Sequence, residues 1–342
     1  MNELYERIAG CNPNRRTLIL TVLDGETAGE KALYADGCLQ WTSRKDGLFA
    51  NSGDVLPEIS SPGIHTIEGR QVYCEFPGRE QKLVICGGGH VSIPVIRIGR
   101  MIGCTVTVLE DRPRFADNAR RAGADEVICA PFEEGLMKIP GDCDTFFIIV
   151  TRGHRYDQVC LEQILQKEHA YIGVIGSRSR TARVKAALLE NGADPDVLDS
   201  IHMPIGLPIG AETPEEIGVS IMAEVIQEKN RSCRRGGFTR EILSAILNEE
   251  NAGVKKVLAT IAARKGSSPR AAGTKMVIFR DSRTAGTIGG GCLEADIFQK
   301  ALQLMDGEHP VPVLVRVDMT GRDAEEDGMV CGGIIDVLLE VI

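Results

Sequence analysis

The sequence predicts an α/β protein with three parts. A Rossmann-like doubly wound parallel sheet lies in the middle, an α+β module follows it, and a degenerate β-rich segment precedes it. Three observations carry this. Between residues 81 and 230, short β-branched runs alternate with helical patterns, the rhythm of a parallel sheet with crossover helices. Residues 230–237 (Asn-Arg-Ser-Cys-Arg-Arg-Gly-Gly) are polar, basic and glycine-tailed, as a linker is. Residues 238–342 then change texture, to one helix followed by short strands punctuated by glycine turns.

In chain order, residues 1–80 line up faintly with the last module. Residues 18–25 match 257–264, and 29–34 match 273–278, so 1–80 reads as a degenerate copy lacking that module's glycine and cysteine motifs. The run 83–86 (Leu-Val-Ile-Cys) is a buried strand closed by Gly87-Gly88-Gly89, and Pro94 falls in the first turn of the helix that follows. Residues 105–109 form the next strand, ending in Glu110-Asp111. Strands at 126–129, 145–151 and 171–175 alternate with helical patterns that include 157–168 and 179–191. A longer helix starts at Thr213-Pro214-Glu215-Glu216, with an N-cap, proline at the first helical position and acids in the first turn. The last module reads as a helix over 239–250 and strands at 257–263, 275–280 and 311–317. A second helix spans 293–305, and a final strand lies near 334–341.

Composition narrows the function. The chain has 342 residues, a formal charge of −9 and one tryptophan. An acidic chain poor in aromatics is ill suited to tracking phosphates or stacking bases, so no nucleic acid partner is expected. No apolar run approaches the ~20 residues that span a bilayer, and residues 1–16 carry no apolar signal core, so neither membrane nor secretion is expected. Eleven cysteines are scattered without a C-x-x-C pair, which fits a reducing cytoplasm better than a disulfide framework. Six dispersed histidines offer no zinc spacing.

Three motifs carry chemistry. Gly87-Gly88-Gly89-His90-Val91-Ser92 follows a strand and opens a helix, where Gly87 and Gly89 would let backbone approach a pyrophosphate. Glu110 and Asp111 then stand where a ribose-binding acid belongs. Against it, Ser92 holds the third glycine position and His90 is unusual there. Thr151-Arg152-Gly153-His154 follows another strand, and Gly176-Ser177-Arg178 a third. Arg152, His154, Ser177 and Arg178 would therefore converge on one sheet edge with anion-binding chemistry, the plainer reading being a charged loop with Asp157 capping the next helix. The third motif is the set 266–270 (Gly-Ser-Ser-Pro-Arg), 286–294 (Gly-Thr-Ile-Gly-Gly-Gly-Cys-Leu-Glu) and 328–333 (Gly-Met-Val-Cys-Gly-Gly). A triple glycine opening a helix exposes N–H donors to an oxyanion, and a thiol beside glycines can reach a soft metal or accept sulfur. The plainer readings are tight turns and a buried cysteine.

These residues resemble the XdhC/CoxI family. The three glycine and cysteine segments look like its XdhC/CoxI module. Residues 87–90, 110–116, 151–154, 175–178 and 213–217 look like its Rossmann domain, so the likeness spans about residues 72–342. The resemblance implies a maturation factor, not a catalyst: a chaperone that binds molybdenum cofactor (molybdopterin), assists its sulfuration and inserts it into a xanthine dehydrogenase-type molybdenum hydroxylase. It implies a cysteine desulfurase as sulfur donor and a cytoplasmic homodimer. The implied cofactor site is Ser268, Arg270, Gly289, Gly290, Gly291, Cys292, Glu294, Cys331, Gly332 and Gly333. Cys331 is the first candidate for a thiol contacting molybdenum or sulfur and Cys292 the second, with Arg270 as charge partner and Glu294 orienting a pterin amine. In the family the signature module usually precedes the Rossmann domain; here it follows. The alternative is an NAD(P)-dependent oxidoreductase, or a domain binding another nucleotide, using Gly87–Ser92 and His154, with the C-terminal module as substrate domain. A nucleotidyl transferase is a third reading, for which the sequence offers no acidic metal-binding pair.

Overall fold

The computed structural model describes the chain except residues 1, 53–58, 60, 79–80, 191, 193, 232–236, 267–269, 290, 308–310 and 319–332, and the backbone alone at 52, 178, 187 and 292. It divides into two compact units: Glu80–Ser232, and a second that joins Met1–Arg79 to Cys233–Ile342.

The N-terminal half of the joined unit contains α1 (Asn2–Ala9), β1 (Thr17–Val22), β2 (Lys31–Ala35), β3 (Cys38–Thr42), α2 (Leu48–Ser52), β4 (Gly63–Ile67) and β5 (Arg70–Glu75). The strands form an antiparallel sheet in the order β3-β2-β1-β5-β4. Every residue of β1 is buried. Alternate side chains explain why: Leu18, Leu20 and Val22 join a core with Tyr34, Phe49 and Val72, while Ile19 points into a second core.

The parallel unit contains β6 (Lys82–Cys86), α3 (Ser92–Met101), β7 (Thr105–Glu110), α4 (Pro113–Ala122), β8 (Glu126–Cys129), α5 (Phe132–Lys138), β9 (Thr145–Ile149), α6 (His154–Ile164), β10 (Tyr171–Val174), α7 (Arg178–Glu190), α8 (Pro195–Asp199) and α9 (Pro214–Arg231). Its strand order, β10-β9-β6-β7-β8, is the doubly wound one, with the reversal between β6 and β9. Leu83, Ile85, Phe146 and Ile148 pack on one face with α3 and α9. Val84, Cys86, Phe147 and Ile149 pack on the other with α5, α6 and α7. Strands buried on both faces read as continuous apolar runs, which is why they were legible in the sequence. The α9 terminus is a capping box: Thr213 Oγ1 accepts the Glu216 N–H at 3.3 Å, and Glu216 Oε2 accepts the Thr213 N–H at 3.0 Å. Residues beside the β10 edge are tied down by a buried carboxylate. Glu224 accepts bonds from the Tyr171 hydroxyl (2.5 Å) and the Gly206 N–H (2.8 Å), and pairs with His202 (3.0 Å).

The C-terminal half contains α10 (Arg240–Leu247), β11 (Lys256–Gly266), β12 (Lys275–Phe279), β13 (Thr284–Gly286), α11 (Cys292–Met305), β14 (Val313–Asp318) and β15 (Gly333–Val341). The helix expected over 239–250 is shorter, because Asn248 ends it and its side chain accepts the Glu250 N–H at 3.0 Å to cap a short 3₁₀ turn.

The strand order β13-β12-β11-β15-β14 repeats that of the N-terminal half, and the registers match. Thr21 pairs with Lys31 as Thr260 pairs with Lys275; Ile19 faces Glu75 as Leu258 faces Glu340. The halves share one core, built from Leu4, Tyr5, Ile19 and Leu33 of the first with Phe238, Ile242, Leu258 and Val277 of the second. Two buried ion pairs cross between them. Lys31 Nζ donates to Glu340 at 2.5 Å and to Thr21 Oγ1 at 3.0 Å. Lys275 Nζ donates to Glu75 at 2.7 Å and to Thr260 Oγ1 at 3.0 Å. Burial pushes Glu75 up and Lys275 down, toward their neutral forms, and each offsets this for the other. Among the described residues no helix is long and apolar enough to cross a membrane.

Candidate functional site

In the parallel unit the predicted nucleotide residues gather at the C-terminal edge of the sheet, beside the β6/β9 reversal. Gly87 has φ +117°, and a Cβ there would lie 2.5 Å from the Val150 carbonyl oxygen, so only glycine lets the chain turn against β9. Gly89 leaves open space, and its carbonyl accepts the Ser92 hydroxyl at 2.6 Å, with His90 exposed beside it.

The two acids have different surroundings. Glu110 is fully buried and accepts the Gly88 N–H at 2.6 Å and the Arg112 Nε–H at 2.7 Å. It therefore fastens the glycine turn to the end of β7. Asp111 is bound by both guanidinium nitrogens of Arg152 at 2.5 and 2.8 Å, which hold its carboxyl below the usual range. Arg152 also meets the Tyr156 hydroxyl at 2.5 Å and lies 4.1 Å from that ring centre. His154 is the exposed first residue of α6. Ser177 accepts the Arg180 N–H at 3.3 Å, and Arg178 opens α7, its side chain outside the described residues.

Asp157 is not the helix cap its position invited. It is the fourth residue of α6 and fully buried, because its carboxylate accepts the Thr151 hydroxyl at 2.5 Å and pairs with Arg180. Burial raises its pKa even so. The sequence reading missed Arg112 and Arg180. Arg112 sits two residues after Glu110 inside a quoted motif, a spacing that brings a guanidinium back onto a carboxylate; Arg180 carried no such signal.

In the C-terminal half, register brings the three glycine segments together. Gly266, where 266–270 begins, pairs with Gly333, where 328–333 ends. Gly286, where 286–294 begins, pairs with Met276 at the start of β12, next to Lys275, which pairs with Thr260 of β11. Gly266, Gly286 and Gly333, one residue from each segment, thus lie at one end of the sheet. Gly291 adopts φ +68°, ψ −149°, a glycine conformation, and starts α11 at Cys292. Glu294 Oε1 accepts the Thr287 hydroxyl at 2.5 Å and the N–H groups of Ile288 and Gly289 at 3.0 and 3.3 Å, so this carboxylate shapes its own loop. Arg270 is exposed near the return into β12. Ser268, Gly290, Cys331, Gly332 and the Cys292 side chain lie outside the described residues. Among the described residues no group of three His, Cys, Asp or Glu side chains could hold a metal.

The chain thus combines a doubly wound domain, with a glycine turn at its reversal, and an antiparallel module with Gly266, Gly286 and Gly333 at one sheet end. Family comparison names it. The XdhC Rossmann domain model matches residues 83–225 and the XdhC and CoxI family model matches 250–318. The chain belongs to the XdhC and CoxI family. It is 31% identical over 150 residues to a probable xanthine dehydrogenase subunit from Bacillus subtilis (44% of this chain, 43% of that one) and 26% identical over 236 residues to the uncharacterized protein YqeB of Escherichia coli (65% and 42%). It thus spans about two fifths of each curated relative. A crystal structure of a xanthine dehydrogenase from Bacillus halodurans is similar, at 26% identity and TM-score 0.50, over 67% of this chain and 63% of that one.

Proposed function

We propose that this chain is an accessory protein of a xanthine dehydrogenase or related molybdenum hydroxylase, and that its C-terminal half carries molybdenum cofactor. The observation that supports this most is that Gly266, Gly286 and Gly333, one from each glycine segment, lie at one end of the sheet. The cargo is an anionic pterin with a dithiolene-bound metal. The N–H groups at the start of α11 suit its phosphate, Arg270 its charge, and a thiol at Cys331, or secondly Cys292, its sulfur chemistry. Glu294 holds the loop that opens α11, a role that leaves it beside the cargo. Sulfuration assisted by a cysteine desulfurase, delivery to the hydroxylase, a homodimer and a cytoplasmic location complete the proposal.

The test is cofactor retention. The protein is expressed in a host that makes molybdenum cofactor, purified anaerobically, and assayed for molybdenum and oxidised-pterin fluorescence. Near-stoichiometric pterin, lost in Cys331→Ala, is expected. Absence of pterin together with firm NAD(P) binding would favour the oxidoreductase, which has in its support the glycine turn at Gly87 and the partly exposed Asp111–Arg152 pair.

A further inference from the structure

The N-terminal half has lost the glycine and cysteine segments, yet it holds a cavity of about 330 Å³ that nothing in the family motifs accounts for. One wall is built from β2, β3 and the chain beside them: Gly29, Lys31, Trp41, Ser43 and Arg44. The other is the C-terminal half: Pro312, Glu340 and Val341. Its volume is at the lower end of small-molecule sites, which run from roughly 300 Å³.

The cavity combines three features that together select a ligand. Trp41, the single tryptophan of the chain, supplies a half-buried aromatic wall, and a hydrogen bond with the Glu3 carboxylate of α1 anchors it. Lys31 on the lining is neutralised by Glu340, the one acid there. Arg44 is different. Its guanidinium donates to the Glu26 carbonyl oxygen at 3.1 Å and makes no ion pair among the described residues, so the lining carries one uncompensated positive charge in a chain of net charge −9.

Register shows that this chemistry belongs to one half. Trp41 pairs with Leu33 as Ala285 pairs with Val277, and two to three residues further on Ser43 and Arg44 correspond to Thr287 and Ile288. At the equivalent place the C-terminal half therefore offers neither the ring nor the charge, and Ile288 is fully buried.

We propose that this cavity is a second ligand site, independent of the glycine-segment site, and that it takes a small planar heteroaromatic molecule carrying an anionic group. The ring stacks on Trp41 and the anion meets Arg44.

Because Trp41 is the only tryptophan, its emission reports on this site alone. The intact chain is titrated with guanosine 5′-monophosphate, exciting at the red edge of indole absorption, alongside guanosine and inorganic phosphate. Saturable quenching by the nucleotide is expected, with guanosine, phosphate and the Arg44→Gln variant each weaker by about tenfold or more. Arg44 is exposed, so its replacement leaves the fold intact, and a far-UV spectrum checks this. No saturable change up to about 10 mM nucleotide, equal affinity in Arg44→Gln, or an equal response to phosphate alone would each overturn the proposal. Pterin retention at the other site does not enter the readout, so either proposal can fail without the other.

Discussion

The two halves of the joined unit share strand order, register and even their buried lysines, but they treat the N-terminus of the central helix in opposite ways. In the N-terminal half Glu30 is buried at the start of α2, where its carboxylate accepts the N–H groups of Leu48 and Phe49 at 2.8 and 3.1 Å. The helix is closed by the protein's own anion. The corresponding residue of the other half is Thr274, since Glu30 O accepts from Val22 as Thr274 O accepts from Ile261, and its hydroxyl turns to the Ala271 carbonyl at 2.8 Å. There, among the described residues, the strand delivers no such carboxylate, and the loop that opens the helix is held by Glu294 from the helix itself. Likewise β4 and β5 are joined by the two residues Glu68-Gly69, where β14 and β15 are separated by 319–332 and the segment bearing Cys331. Identical topology supports a helix start closed by a carboxylate from the strand in one half and a loop held by the helix's own carboxylate in the other, and local side chains decide which is which.

The sharpest way to break the comparison is through the crossed ion pairs. Lys275→Met leaves Glu75 buried without a partner and is expected to cost about 3–5 kcal/mol in urea unfolding, and Lys275→Met/Glu75→Leu should recover most of it. Lys31→Met should cost about as much; a difference beyond ~2 kcal/mol would show that the halves do not share their interface equally.

Glu30→Ala should cost about 2–3 kcal/mol by orphaning two N–H groups, while Thr274→Ala should cost about 1 kcal/mol. Similar losses at the two positions would contradict that distinction. A further variant sharpens it. Gly47→Ala places a Cβ about 2.2 Å from the Glu30 carboxylate, so its cost should shrink when combined with Glu30→Ala. The equivalent Gly291 has open space around it, so Gly291→Ala should cost about 1–2 kcal/mol through backbone conformation alone, with no rescue from a neighbour.

The smallest effect sets the joined unit against the parallel one, whose ion pair beside β10 joins a buried carboxylate to a partly exposed histidine. The Glu224 carboxylate raises the pKa of His202, so its stabilising contribution is present below about pH 6.5 and is lost as pH rises through the raised value. Burial works to raise Glu224, but its bonds from His202, Tyr171 and Gly206 prevail and hold it low, so its contribution is lost only as pH falls below about 4.3. Thermal melts of the wild-type chain should therefore show a shallow alkaline decline from this pair, flattened in His202→Gln; an unchanged slope would remove the pair from the pH response.

Much of this was legible because the relevant signals are local. The run 83–86, its glycine closure and the Thr213 cap are short-range patterns, and each element follows from its own residues. The three glycine segments were likewise readable as a group. Other features were not. Glu30 looks like an ordinary polar residue in a hairpin; only the fold brings it to α2, 18 residues away. Asp157 stands where a cap would, and its burial depends on Arg180 from the next helix. Trp41 and Arg44 draw attention only when Pro312 and Glu340 arrive from the far end of the chain.

The sequence by itself determined the alternation that builds the parallel sheet, the family, and the glycine segments, because hydrophobic period, caps and turn residues act over a few positions. Only the tertiary structure decided that residues 1–79 and 233–342 form one unit, that Lys31 answers Glu340 and Lys275 answers Glu75, and that Glu110 fastens the Gly88 turn. Those pairings join charges distant in sequence, and burial makes them selective: a charge removed from water must find its partner wherever the chain returns.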